Sequence, residues 1–122
     1  MKSKRTRSFV LQARLRVRVG DEIALGPGKI ELLELMQQTG SIVKAAKRMG
    51  VSYMRAWTLI RTMNACFKEP LVIAARGGRK GGGGAKLTDL GDRVLGLYHD
   101  MDLESFKAIQ PFWKQLRLLL RQ

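Results

Sequence analysis

The chain has 122 residues, the size of one small domain, and 45% of them are hydrophobic, which is enough for a core. Its 23 lysines and arginines outnumber 10 acidic residues, giving a net charge of +13. Such a charge indicates a polyanionic partner, with nucleic acid the first candidate and an acidic membrane surface the second. The single cysteine, Cys66, excludes an intramolecular disulfide, and no run reaches the roughly 20 apolar residues of a membrane span. The basic start is not typical of a secretory signal, so we expect a cytoplasmic, bacterial or archaeal, nucleoid-associated protein.

The N-terminal part predicts a basic arm followed by strand structure. Residues 1–8 have no apolar pattern and are expected to be a disordered arm. Residues 11–19 alternate between apolar and polar side chains, which predicts a half-buried strand, and a short second strand is expected at 23–25. Arg14, Arg16 and Arg18 share the polar face. Two interpretations stay open for them: a charged edge that prevents strand pairing, or a strip that meets phosphates.

Helical patterns dominate the rest of the chain. The first helix opens at "GPGK" and ends at Gly40, and Ser41 and Ser52 are expected to cap the next two helices. Short strands are predicted at 71–75 and 85–87, on either side of a glycine-rich loop. Thr88 is expected to cap the last helix, which Pro111 should interrupt near residues 103–110, because proline removes an amide donor and clashes with the preceding turn.

Residues 42–61, "IVKAAKRMGVSYMRAWTLIR", fit the helix-turn-helix template position by position. Ala46 is small where the two helices cross, Gly50 supplies the positive φ of the tight turn, and Val51 is an apolar plug. A helical hairpin without DNA-binding function is the alternative. The expected fold is mainly α with a small β-sheet: a winged helix-turn-helix with N-terminal strands, a two-stranded wing and a long C-terminal dimerisation helix. We expect the domain itself to cover residues 9–102, with a helical extension over 103–122.

In this geometry the second helix of the motif, residues 52–66, enters the major groove N-terminus first. Its outward positions are the candidate base contacts, and Arg55 is the best of them because its guanidinium can match guanine O6 and N7; the set is Ser52, Tyr53, Met54, Arg55 and Thr58. Candidate phosphate contacts nearby are Lys44, Lys47, Arg48 and Arg61. For the three on the preceding helix, a solvated helix face is the alternative. Trp57 either stacks near the DNA backbone or packs against the domain, and packing is favoured.

The stretch "RGGRKGGGGAKLT", residues 76–88, allows a nucleotide-binding loop, a linker or a nucleic-acid-binding loop. A P-loop needs a glycine-lysine pair followed by serine or threonine, which is missing here. No acid pair, His/Cys cluster or nucleophile–base set accompanies it, and His99 suits a surface helix position. We therefore predict no enzyme, cofactor or metal site. Because the loop lies between two strands after the helix-turn-helix, it predicts a wing tip whose basic residues reach phosphates or the minor groove, namely Arg76, Arg79 and Lys80.

The sequences "SYMRAW", "GGGGA" and "LTDLG" together resemble the N-terminal DNA-binding domain of the ModE family of molybdate-responsive transcriptional regulators, and more distantly LysR-type regulators. The resemblance covers about residues 10–100 and implies a homodimer that binds double-stranded DNA at palindromic operators. It also implies that the helix after the wing contributes to the dimer, where the matching residues are Leu90, Val94, Leu97 and Met101. ModE proteins carry molybdate-binding domains beyond this helix, for which the chain has no room, so molybdate is not expected to bind it. The alternative is a non-specific architectural or protein-interaction winged helix.

Overall fold

A computed structural model describes residues 7–75 and 84–122. Within those residues the order is two strands, three helices, two strands and a long helix. The strands form two separate antiparallel pairs, β1 with β2 and β3 with β4. The prediction of a mainly helical chain with a small β component is therefore confirmed. The bounds are β1 Val17–Val19, β2 Glu22–Leu25, α1 Pro27–Thr39, α2 Ile42–Met49, α3 Tyr53–Cys66, β3 Val72–Ala74, β4 Ala85–Leu87 and α4 Asp89–Arg117.

The first strand is much shorter than the alternating pattern predicts. Only Val17–Val19 pairs with β2, and a bulge at Ala24 shifts the register from Val17 opposite Leu25 to Arg18 opposite Ile23. Because β2 ends at Leu25 and α1 begins at Pro27, residues 11–16 have no neighbouring strand to pair with. The prediction of a strand over residues 11–19 was therefore wrong for residues 11–16.

Residues 7–16 instead follow α4. The Tyr98 hydroxyl donates to the carbonyl of Leu15 at 2.7 Å, and the Arg7 guanidinium donates to the carbonyl of Arg121 at 3.4 Å. These two contacts join opposite ends of the segment to positions far apart on the C-terminal part of the chain. The alternation therefore arises because an extended segment lies with one face against a helix. Such a segment has the same two-residue period as a strand.

Three helix starts are fixed by side-chain caps at the predicted residues. The hydroxyl of Ser41 accepts from the Lys44 amide at 3.1 Å, and that of Ser52 accepts from the Arg55 amide at 3.0 Å. Thr88 accepts from the Gly91 amide at 3.0 Å. Each bond satisfies a backbone donor that has no partner within its helix, so the capping predictions are confirmed.

The hydrophobic core lies where α1, α2, α3 and the first half of α4 meet the two hairpins. Two leucines of α1 are fully buried together with side chains from neighbouring elements; the buried set includes Leu32, Leu33, Ile42, Ile60, Leu71 and Leu95. Small residues allow α2 and α3 to approach, since Ala46 and Ala56 are both buried at this contact. The core therefore fixes α3 by one face and leaves its other face outside.

The last helix continues through Pro111, and the predicted break near residues 103–110 is wrong. The ring of Pro111 removes one amide donor, which would otherwise bond the carbonyl of Lys107. Both residues are exposed, so water can satisfy that carbonyl. The fixed φ of proline is itself compatible with a helix. None of the described helices combines the length and apolar character that crossing a bilayer requires.

Candidate nucleic-acid interface

A three-residue connection joins α2 to α3. Gly50 has φ 76° and closes α2 by donating its amide to the carbonyls of Ala46 and Lys47. The Val51 amide also donates to the Ala46 carbonyl, at 3.0 Å, and Ser52 then caps α3. The left-handed conformation predicted for Gly50 is confirmed, and a side chain at this position would be strained.

The five candidate base contacts all lie on the exposed face of α3 or at its start. Met54 is 70% exposed, whereas Ala56, Ile60 and Met63 on the opposite face are buried. Because the buried face is packed into the core, α3 cannot rotate about its axis, and the opposite face stays exposed to solvent. The structure thus brings together Ser52, Tyr53, Met54, Arg55 and Thr58 on one accessible surface.

Side chains on this surface are ordered by neighbours one helical turn away. The Tyr53 ring meets Trp57 edge-on, with centroids 6.4 Å apart, and Trp57 itself is half-buried against the core, as the favoured interpretation predicted. Thr58 donates its hydroxyl to the Met54 carbonyl at 3.0 Å and accepts from the Arg61 guanidinium at 3.4 Å. Arg55 has no side-chain hydrogen bond within residues 7–75 and 84–122, so its guanidinium is available to a ligand.

The basic residues of α2 and α3 are not neutralised by nearby acids. Lys44, Lys47, Arg48 and Arg61 are all exposed. In the described part of the chain, the ion pairs are His99 with Glu34 and Lys107 with Glu104, and neither involves α2 or α3. Local positive charge of this kind is what a polyanion requires of a binding surface.

The strands β3 and β4 form a hairpin whose loop, residues 76–83, lies outside the described residues. The candidate contacts Arg76, Arg79 and Lys80 therefore lie there as well. Val72 pairs with Leu87 and Ala74 with Ala85, so the hairpin stem is antiparallel as predicted.

Asn64, which the sequence interpretation missed, ties this hairpin to α3. Its Oδ1 accepts from the amides of Leu71 at 2.8 Å and Val72 at 3.3 Å, and its Nδ2 donates to the Val72 carbonyl at 3.0 Å. The Thr88 hydroxyl also donates to the Pro70 carbonyl, at 2.8 Å. An amide near a helix end, a few residues before a strand, was the available signal, because the Asn side chain carries a donor and an acceptor on separate atoms and can bond an amide and a carbonyl at once.

The four predicted dimerisation residues have two different environments. Leu90 is half-buried against the core, and Val94 is only 8% exposed within it. Leu97 and Met101 are 51% and 49% exposed on α4. Arg14, Arg16 and Arg18 are exposed on the N-terminal segment and β1, which leaves both interpretations of that strip open. No group of three or more potential metal ligands occurs among residues 7–75 and 84–122.

Curated proteins resemble this chain over most of its length. The molybdenum transport protein ModE of Azotobacter vinelandii is 42% identical over 93 residues, which is 76% of this chain and 34% of that protein. The chain is ModE-like. The ModE-like region also matches the DNA-binding transcriptional dual regulator ModE of Escherichia coli, 42% identical over 84 residues, 69% of this chain and 32% of that protein. Molybdenum-pterin-binding protein MopB of Rhodobacter capsulatus is 38% identical over 94 residues, 77% of this chain and 34% of its own.

The chain spans about a third of the length of these ModE-like relatives. No protein-family model matches the sequence.

Proposed function

We propose that this chain is a sequence-specific DNA-binding transcriptional regulator of the ModE type, with α2 and α3 as its helix-turn-helix. The observation that carries the proposal is the exposed face of α3, held outward by a buried apolar face directly after the left-handed turn at Gly50. The net charge of +13 supports a polyanionic partner. The name of the Escherichia coli relative, a DNA-binding transcriptional regulator, supports the same function.

In the proposed complex, the N-terminal half of α3 lies in the major groove. Arg55 reads a guanine through its free guanidinium, and the exposed Met54 and Tyr53 contact base edges or thymine methyl groups beside it. Ser52 and Thr58 complete the base-contacting set. Thr58 also orients Arg61 through the bond between their side chains, and this directs Arg61 toward the DNA backbone.

Phosphate contacts surround this reading surface. We expect Lys44, Lys47 and Arg48 on α2 to hold the backbone on one side, as the first helix of such a motif does. The hairpin of β3 and β4 is proposed to be the wing, with Arg76, Arg79 and Lys80 contributing affinity but little sequence choice. Asn64 would transmit the position of α3 to this wing, because it bonds the backbone of Leu71 and Val72 at the start of β3.

A homodimer on a palindromic operator is the proposed binding form. Leu97 and Met101, two exposed apolar residues of α4, would meet a second copy, while Leu90 and Val94 support the helix from inside. Dimeric binding requires two α3 helices about one DNA turn apart, roughly 34–36 Å. The names of two relatives mention molybdenum transport and molybdenum-pterin binding. We propose that this chain acts through DNA and does not itself bind molybdate. A cytoplasmic, nucleoid-associated location belongs to the same proposal.

Selection of bound sequences from a random DNA pool tests this function. A regulator enriches one palindromic sequence, and its affinity falls with salt at a slope of about −0.9 per phosphate neutralised. A second candidate, a non-specific architectural DNA-binding protein, is favoured by the charge alone. That protein would show the salt dependence without any enriched sequence, and affinity indifferent to salt would contradict both.

A further inference from the structure

A cavity of about 530 Å³ lies between the segment 11–14, α1 and the middle of α4. Its inner wall includes Ile30 and Tyr98, which are 5% and 6% exposed, and its outer rim includes Leu103 and Phe106, which are about half exposed. Sites for small molecules are commonly concave, have a volume of roughly 300–1,000 Å³, and are lined mostly by apolar side chains with a few polar groups. The cavity meets this description in volume, and its lining combines apolar residues with polar and charged ones.

Five titratable side chains line the same cavity: Arg14 from the segment, Glu34 from α1, and Tyr98, His99 and Asp102 from α4. The side chains of Glu34 and His99 pair with each other through Oε2 and Nε2. Arg14 and Asp102 have no ion pair and no side-chain hydrogen bond to any other described residue. One cation and one carboxylate are therefore left open to a ligand.

Tyr98 lies in the wall of the same cavity as Arg14 and Asp102. Its hydroxyl donates to the Leu15 carbonyl at 2.7 Å and so holds the segment on α4. Burial is the main cause that raises the pKa of Tyr98, the charge of Asp102 raises it further, and the charges of Arg16 and Arg14 lower it. Arg14, Tyr98 and Asp102 all line the cavity, so the two charges and this hydroxyl belong to the same site.

We propose that this cavity binds a small zwitterion with an apolar side chain, the chemistry of an aliphatic or aromatic α-amino acid. Arg14 pairs with its carboxylate, since a guanidinium matches a carboxylate through two parallel hydrogen bonds. Asp102 accepts from its ammonium group. The apolar side chain lies against Ile30 and Phe106, where burial removes apolar surface from water.

The proposed dimer leaves this cavity open. His99 at the cavity lies two residues from both Leu97 and Met101, and two residues correspond to about 200° around an α-helix. The exposed apolar pair and the cavity therefore lie on opposite sides of α4. A second copy docked on Leu97 and Met101 would not fill it.

The test is an NMR titration of the backbone amides of the full chain with L-phenylalanine, followed by two analogues. Phenethylamine lacks the carboxylate, and hydrocinnamate lacks the ammonium group. The expected Kd of L-phenylalanine is on the order of 1 mM or below, from the efficiency of ligands of that size. Shifts should saturate at amides of the segment, α1 and α4 that surround the cavity, and each analogue should bind about ten-fold more weakly, because it loses one charge-assisted hydrogen bond.

Two variants with matched controls assign the ends of the ligand. Arg14→Gln should weaken L-phenylalanine about ten-fold and leave phenethylamine unaffected, while Asp102→Asn should weaken L-phenylalanine and leave hydrocinnamate unaffected. Arg18→Gln and Asp100→Asn are the controls, since both residues are exposed and neither lines the cavity. All four positions are on the surface, so the amide spectrum should keep the dispersion of a folded chain.

Three results would overturn the inference. The first is the lack of saturable shifts at the cavity, and the second is equal affinity for L-phenylalanine and both analogues. The third is a set of cavity shifts that follows protein concentration and ignores the amino acid, which would mean that a second copy occupies the site. None of these readouts involves DNA, so they are separate from the outcome of the operator selection.

Discussion

The carbonyl oxygen of Leu71 occupies the space that a Cβ atom on Gly91 would need. Gly91 is buried in the first turn of α4, and its amide bonds the cap Thr88. The absence of a side chain is what lets α4 lie directly on the chain entering β3. Any side chain at Gly91 must move this backbone, whose position sets the base of the hairpin.

We therefore expect Gly91→Ala to lower the free energy of unfolding by about 1–3 kcal/mol, the usual cost of forcing extra volume into a packed site. Gly96→Ala is the matched control. It lies on the same helix with nothing near its missing Cβ, and alanine should stabilise the helix there by about 0.5–1 kcal/mol. Urea unfolding of the two variants measures both values, and loss of stability in Gly96→Ala alone would contradict the close contact at Gly91.

Tyr98→Phe should change how stability depends on pH. Burial raises the pKa of Tyr98 above its ordinary value of 10.0. The unfolded chain therefore releases this proton first as pH rises, so the stabilisation is complete below about pH 10 and is lost as pH climbs toward the folded pKa. Tyr98→Phe loses the bond to Leu15, at a cost of about 1 kcal/mol at neutral pH.

The difference in unfolding free energy between wild type and Tyr98→Phe should be constant below about pH 10 and shrink as the pH rises above about 10. Tyr53→Phe, in which an exposed tyrosine changes, controls for the general loss of positive charge at high pH. A constant difference for Tyr98→Phe across this range would show that the hydroxyl titrates normally in the folded chain.

Local sequence signals predicted much of this fold. Ser41, Ser52 and Thr88 act as helix caps because a hydroxyl and a backbone amide three residues on meet within one turn of chain. Gly50 adopts its left-handed conformation for an equally local reason. These features need only neighbouring residues, which the sequence displays directly.

The predictions that were wrong or incomplete depend on contacts or solvent exposure that the local sequence does not display. The alternation over residues 11–19 is real, but it arises mainly because the segment lies on α4, more than 80 residues away along the chain at Tyr98. Pro111 lies in an exposed helix where water replaces the lost bond, which proline statistics alone do not reveal. For the candidate site, the exposure of Arg55 follows from helical periodicity, whereas the anchoring role of Asn64 requires knowing where β3 lies.

Leu97→Glu and Met101→Glu should weaken self-association. Both side chains are about half exposed on α4, so a charge is tolerated in the monomer but must be desolvated in the proposed dimer. We expect dissociation to become about 30-fold easier, corresponding to roughly 2 kcal/mol. Sedimentation over a concentration series measures this.

Leu103→Glu is the control for the dimer surface. Leu103 is 52% exposed on the same helix, but two residues from Met101 and therefore about 200° away. It should leave the association unchanged. The reverse pattern, in which only Leu103→Glu gives monomers, would move the interface to the opposite side of α4.

Arg55→Ala and Lys47→Ala separate base reading from phosphate contact. Arg55 has a guanidinium without a hydrogen bond to any other described side chain, so its loss should cost about 1–3 kcal/mol at one operator base pair and relax selection there. Lys47 is exposed on α2, and its loss should weaken all sequences equally and reduce the salt slope by about 1. Repeating the sequence selection and the salt titration with each variant measures both effects. If Arg55→Ala weakened every sequence alike and kept the selected base, Arg55 would be a phosphate contact, and the reading of DNA sequence would have to come from Tyr53, Met54 or Thr58 on the same face.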